Sequence, residues 1–362
     1  MAAARYLRPG VRVLWRAPGS SQIGIDPRCA VVLDDLDPVD QSLLEQLPRL
    51  RGEPELNSYA RDLGVGRAPV RALLDRLDDL GYLVRGAPLS DAADDRYWHL
   101  AAVAGHDRSA QRSAATVEIR GLDQLGLRIA QILAQAGTGR LLLEDSRAVT
   151  IDDLGVGAYR AQDLSRRRED VAFALLRSAS PMTALTAPPG TRPDLVVLVE
   201  HGAVDAVRVR PLMREDVPHL PVLVRELDVV VGPLVRPGEG PCLRCLDLHH
   251  CDDDPRWPAV ATQVTTRPPE GVETALGWFA ASLAAHQVLA VADGRGVLVA
   301  GTSLEVSATY PLPRYREWAV HPDCGCQAPA GHDDAAVVAR GHHDGPPGGV
   351  PRTLRSTARP RP

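Results

Sequence analysis

Cys242 and Cys245, and then Cys324 and Cys326, are the residues of this chain whose type and spacing speak most directly of chemistry. Two thiolates separated by two residues on a turn can grip two corners of a tetrahedral ion without backbone strain, and zinc takes four such ligands. Cys242-Leu-Arg-Cys245 follows GPLVRPGEGP, whose prolines and glycines shape a knuckle, and in Cys324-Gly325-Cys326 the glycine relieves the crowding of so short a bite. In a reducing compartment such close pairs point to a metal before a disulfide. Four thiolates leave no corner open for water, so the expectation is a structural zinc that clamps two sequence-distant segments. His249, His250, Cys251 and His321 are near enough in sequence to substitute for a ligand, whereas Cys29 stands alone.

A second constellation is GLDQLG, residues Gly121–Gly126, between an apolar strand and a helix. Glycines in such a turn let the backbone approach phosphates at a helix N-terminus. The central glycine position is held by Asp123, however, and a carboxylate there would repel a phosphate. The chain contains no lysine, so chemistry that needs a lysine amine is excluded.

These groups must be positioned by a chain of 362 residues, long enough for two packed units. Aromatic residues are 4% of it, so the cores have to be built from Leu, Val and Ala. A net charge of -5 speaks against nucleic-acid binding. No apolar run approaching the ~20 residues of a membrane span and no secretory signal are recognised, and a cytoplasmic location is expected. Residues 1–85 read as an α+β module. Val11–Trp15, Gln22–Ile25 and Cys29–Leu33 suggest a three-stranded meander. Helices follow over Asp40–Leu50, Leu56–Leu63 and Ala68–Leu80, and a strand over Tyr82–Val84, a winged-helix-like order. Residues 86–115 read as a linker with one short helix. From Thr116 a βαβ pattern begins: strand Thr116–Arg120, helix Leu125–Ala136, strand Arg140–Glu144, a helix around Ser165–Ser178 and strand Asp194–Val199. Helix Thr274–Ala292 should cover one sheet face, and Gly296–Val306 reads as strands. Residues 327–362 hold almost no large apolar side chain and are expected to be a disordered tail.

The order of strand, glycine turn, helix, LLLED, a basic run before a helix, PDLVVLVE and paired cysteines resembles the ThiF/MoeB ubiquitin-activating-like superfamily. That resemblance implies ATP binding, adenylation of a carboxyl terminus and a zinc held by two cysteine pairs. By position, Gly121 and Gly126 match the outer glycines of its loop, Asp145 its ribose-binding acid, Arg160 its nucleotide-contacting arginine and Arg168 its phosphate-binding lysine. Its magnesium-positioning aspartate falls near Leu198, an aliphatic residue here. The resemblance therefore implies a Rossmann-like ThiF/MoeB-type domain, residues 116–326, kept for shape, with those five positions vestigial and ATP not an expected ligand.

GPLVRPGEGPCLRCLDLHHCDDDPRWPAV (Gly232–Val260) and REWAVHPDCGC (Arg316–Cys326) are similar to a narrower group, the ThiF-like partner proteins of YcaO cyclodehydratases. RYLRPGVRVLWRAPGSSQIGIDP likewise looks like the PqqD-like peptide recognition element with which such proteins begin. This implies binding of a precursor (leader) peptide and its presentation to a YcaO enzyme in ribosomal-peptide maturation; homodimerisation is implied by analogy alone. In physical terms, an extended peptide can add as a strand to the edge Arg28–Leu33, through Ala30, Val31, Val32 and Leu33, and pack in a groove of Val70, Leu73, Leu74 and Leu77. The alternative for the same four side chains is the module's own core. Two other functions are weighed: an adenylyltransferase that activates a carboxyl terminus, and a DNA-binding regulator with Ala68–Leu80 in the major groove. Arg67, Arg71 and Arg76 on that helix are opposed by Asp75, Asp78 and Asp79, a poor phosphate-facing set.

Overall fold

The computed structural model describes residues 4–86, 93–103, 111–266, 271–327 and 352–354. The chain forms two compact units, Met1–Arg108 with Val337–Pro362, and Ser109–Ala336. The division falls inside the segment read as a linker.

In the first unit β1 (Arg5–Leu7), β2 (Val13–Ala17), β3 (Ser20–Ile23) and β4 (Val31–Leu33) precede α1 (Pro38–Gln46), α2 (Glu53–Asp62), α3 (Arg67–Asp79), β5 (Leu83–Arg85) and α4 (Ala93–Val103). β2, β3 and β4 form the expected antiparallel meander, with Gln22 opposite Val32. β5 pairs with β1, Tyr6 opposite Val84, and not with the meander. Local chemistry sets the helix ends. Asp37 caps α1 by accepting from the N–H groups of Val39 and Asp40, with Pro38 at the first turn, where its missing donor is harmless. Val70, Leu73, Leu74 and Leu77 lie on the inner stripe of α3, each at most 4% exposed, and pack with Ile23, Leu33, Leu43, Leu44 and Leu56. They are the core of the unit. The groove expected from these four side chains is not a surface feature, because the only apolar stripe of α3 is used to close the fold.

The second unit begins with α5 (Gln111–Ala114), β6 (Thr116–Arg120), α6 (Gln124–Gln135), β7 (Arg140–Glu144) and α7 (Arg168–Ala179). It continues through β8 (Leu195–His201), α8 (Ala206–Arg214), β9 (His219–Val224), β10 (Asp228–Val231), α9 (Leu243–Asp253), α10 (Trp257–Thr265), α11 (Thr274–Ala292), β11 (Thr302–Ser307) and β12 (Tyr310–Glu317). Its strands make one seven-stranded sheet in the order β12-β11-β10-β9-β8-β6-β7. β7, β6, β8 and β9 are mutually parallel, as the βαβ pattern requires, and β10 to β12 extend the sheet antiparallel. Helices lie on both faces. On one, Val197 and Val199 of β8 meet α6, α7 and α11; on the other, Val196 and Leu198 meet α8 and α9. α11 has 19 residues and is long and apolar enough to cross a membrane, where no run of that length was expected. Its small residues Ala280, Ala281, Ala284 and Ala285 are instead fully buried against α6 and the sheet.

One more strand, β13 (Arg352–Leu354), lies in the segment expected to be a disordered tail and belongs to the first unit, where it pairs in parallel with β4. The other residues beyond 327 lie outside the described ones.

Because Leu74 is completely buried, Leu74→Ala should destabilise the first unit by about 2–5 kcal/mol, the usual range for emptying a leucine site. Urea denaturation followed by circular dichroism measures this. A change below about 0.5 kcal/mol would mean a side chain facing an open groove.

Candidate metal centre and crevice

Cys242 caps the N-terminus of α9 and Cys245 sits in its first turn, its N–H bonded to the Cys242 carbonyl at 3.0 Å. Cys324 and Cys326 come from the turn after β12, held by Cys324 N–H to the His321 carbonyl at 3.0 Å. The sulfurs approach at 3.9 Å for Cys242 and Cys245, 3.6 Å for Cys242 and Cys324, and 3.5 Å for Cys245 and Cys326. These lengths are far beyond a disulfide bond. A tetrahedron with metal–sulfur bonds of ~2.3 Å has edges of about 3.8 Å, which the measured separations bracket. The four expected residues are thus together, and they fit a metal ion such as zinc. Burial pushes the thiols of Cys324 and Cys326 up, that of Cys326 to about 11. A cation among them would favour the thiolates that burial opposes.

Of the possible substitute ligands, His321 has a supporting task. It is 4% exposed, Nε2 meets Asp252 Oδ2 at 2.9 Å, and Nδ1 accepts the Asp323 N–H at 3.1 Å. With Nδ1 accepting, the ring proton sits on Nε2 and points at Asp252, which fixes the turn that delivers Cys324. His249 contacts the Ala319 carbonyl through Nε2 at 3.0 Å, and His250 stacks beside Trp257 and Trp318.

The second expected site lies at the carboxyl ends of β6 and β8, where the strand order reverses and ligands of such sheets bind. A crevice of about 570 Å³ there is lined by Glu144, Asp145, Arg147, Arg167, Glu200 and His201, among others. The glycine turn is tight for a packing reason. A Cβ on Gly121 would meet the Val199 carbonyl oxygen at 2.6 Å, and one on Gly126 would meet the Gly121 oxygen at 1.9 Å. Asp123, read from sequence only as a repulsive charge, is the cap of α6. Its Oδ1 accepts the Gly126 N–H at 2.9 Å and its Oδ2 lies 2.6 Å from His201 Nε2. The positive end of α6 is therefore already answered by a carboxylate of the chain itself.

Asp145 and Arg168 are also brought together, and both are spent internally. Asp145 accepts the Leu122 N–H at 2.8 Å, Arg147 Nε at 2.9 Å and Arg168 Nη1 at 3.2 Å. Arg168, 2% exposed, holds Asp153 with two further bonds of 2.9 Å. Burial opposes ionisation of Asp123 and Asp145. Against it, His201 and the Gly126 N–H act on the first, and Arg147, the Leu122 N–H and Arg168 on the second, and both carboxyls end below the usual range. Arg160 is exposed and outside the crevice lining; its N–H donates to the Asp163 carboxylate at 3.0 Å and its carbonyl accepts the Asp163 N–H at 2.8 Å. Leu198 points into the layer that holds the cysteines, so β8 offers the crevice Glu200 and His201 instead. Asp153 and His201 were missed because neither lies in a motif; the capping position of Asp123 was the available signal. Among the remaining site residues, Ala30, Val31, Val32 and Leu33 are all buried, at 5% exposure or less.

Two outcomes follow. The purified protein should carry one tetrahedral metal ion per chain by elemental analysis, and the Cys324→Ser, Cys326→Ser double variant should lose it; full occupancy in that variant would refute the centre. Arg168→Ala leaves buried Asp153 without its cation and Asp145 with Arg147 alone, and should cost about 3–5 kcal/mol by thermal denaturation. Because the folded Asp123 and Asp145 titrate below their unfolded values, their stabilisation is complete above the ordinary carboxylate range and is lost as pH falls through it. The penalty of Arg168→Ala should therefore shrink on acidification.

No protein-family model and no curated protein matches the chain. Solved structures do. Escherichia coli MccB with ATP superposes with a TM-score of 0.57 at 14% identity, over 90% of this chain and 99% of that one. The microcin C7 biosynthetic enzyme MccB in complex with N-formylated MccA gives 0.56 at 13% identity, over 90% and 99%. PaaA gives 0.55 at 14% identity, over 86% and 99%. At such identity the likeness is one of fold: the chain has the α/β architecture of MccB and PaaA over nearly their whole length, in agreement with the α/β fold class expected from its sequence.

Proposed function

We propose that this protein binds a precursor peptide in ribosomal-peptide maturation and presents it to a partner enzyme of the YcaO cyclodehydratase type, with a zinc ion in the four-cysteine centre as a structural clamp. The observation that carries the reading is the state of the crevice. Where a nucleotide-using domain needs an open helix N-terminus, an acid free for ribose and a cation free for phosphate, Asp123 caps α6 and Arg168 is locked between Asp145 and Asp153. A phosphate entering there would have to displace ion pairs that are almost fully desolvated. Peptide binding is supported by the likeness to MccB, which was solved with the MccA peptide, and by the short β4, whose outer edge takes an extended segment in parallel pairing. The N-terminal unit acts as the recognition module and the ThiF-like unit as the body that meets the enzyme. The fold likeness to MccB solved with ATP keeps one other reading in view, an adenylyltransferase.

ATP–pyrophosphate exchange separates the two. The purified protein, given magnesium, ATP and pyrophosphate with a candidate precursor peptide, should exchange at the background rate, and that peptide should bind with fluorescence anisotropy saturating at one per chain. Exchange at an enzymatic rate overturns the presenting role in favour of the adenylyltransferase.

A further inference from the structure

The outer edge of β4 is where a peptide would add, and it is occupied. β13 runs parallel to it in the register Arg352 to Val31, Thr353 to Val32 and Leu354 to Leu33. It is the one parallel pairing in a sheet whose other pairs, β2 with β3 and β3 with β4, are antiparallel. Val31 and Leu33 turn into the core of the unit, so the edge that remains for recognition is a short run of main-chain donors and acceptors. The charge of the two partners is complementary. After Asp344 the sequence holds no acidic residue and four arginines, Arg352, Arg355, Arg359 and Arg361, whereas β4 runs directly into Asp34, exposed Asp35 and Asp37.

We infer that the C-terminal segment around Arg352–Leu354 is an intramolecular occupant of the peptide edge, so that an incoming peptide binds by displacing the chain's own strand. The inference rests on the peptide-binding reading above and adds a regulator to it. A tethered strand competes at an effective concentration in the millimolar range, enough to turn away weak peptides while a peptide with more contacts displaces it. No covalent step is involved.

The test uses the full chain. N–H groups of successive strand residues point in opposite directions, so replacing both Thr353 and Leu354 by proline removes the ladder donor whichever residue supplies it. Thr353→Ala with Leu354→Ala keeps both donors and serves as the control. Amide hydrogen exchange at the β4 N–H groups that face β13, either Val32 or Val31 and Leu33, should quicken about tenfold or more in the proline pair and stay near wild type in the alanine pair, while those that face β3 stay protected. A fluorescein-labelled peptide of residues 349–359 should bind the proline pair about tenfold more tightly than the wild type, since its tethered competitor is gone. Equal exchange in the three proteins, or equal peptide affinity, overturns the inference. Tighter binding of the 349–359 peptide by the proline pair, with no binding of any candidate precursor peptide, upholds the self-occupied edge and overturns the presenting role.

Discussion

Strand β8 is the constraint on which the second unit depends. A central parallel strand is buried on both faces, so each of its side chains is assigned by strict alternation to one helical layer or the other. Val197 and Val199 hold the layer of α6, α7 and α11, and Val196 and Leu198 hold the layer that contains Cys242, Cys245 and Cys324. At its carboxyl end, beyond its pairing with β6 and still paired with β9, the same strand presents Glu200 and His201 to the crevice. A shift of one residue would exchange the two sets. The four-cysteine cluster, the helix packing and the crevice are thus fixed by one register.

The charged groups around the crevice find their partners within the chain. A glycine turn, an acid at the end of β7 and a cation at the start of α7 remain in place, because the close approach of Gly121 and Gly126 to each other and to Val199 is required by packing alone. Their electrostatics have turned inward. Asp145 receives two arginines and a backbone N–H, and Arg168 is shared between two carboxylates; Asp145, Asp153 and Arg168 are almost without solvent, and Arg147 is partly exposed. Buried charges are tolerated only when paired, so a network of this kind is held together by the cost of opening it. Such an arrangement stiffens a scaffold.

Much of this was legible. The cysteine spacing named the four residues that meet, since ligand chemistry is written in residue type and short-range spacing. Helix α3 was placed within one residue at each end by its apolar period and Gly81, and β6 and β7 were placed to the residue by their apolar runs. The four apolar side chains of α3 had two readings that periodicity cannot separate, because a core stripe and a groove wall have the same pattern. Arg160 went astray for a related reason: position in a motif gives an expected neighbourhood, and only packing says whether the side chain points into it.

By itself, the sequence determined the βαβ order, the four-cysteine set and the glycine turn, all of which follow from local pattern and residue chemistry. The tertiary structure alone decided the rest. It brought Asp153 to Arg168 and His201 to Asp123, across 15 and 78 residues of chain, and it laid β13 along an edge that the sequence had left open. Those pairings depend on which buried charge lacks a partner and which strand edge lacks a neighbour, and both are properties of the folded whole.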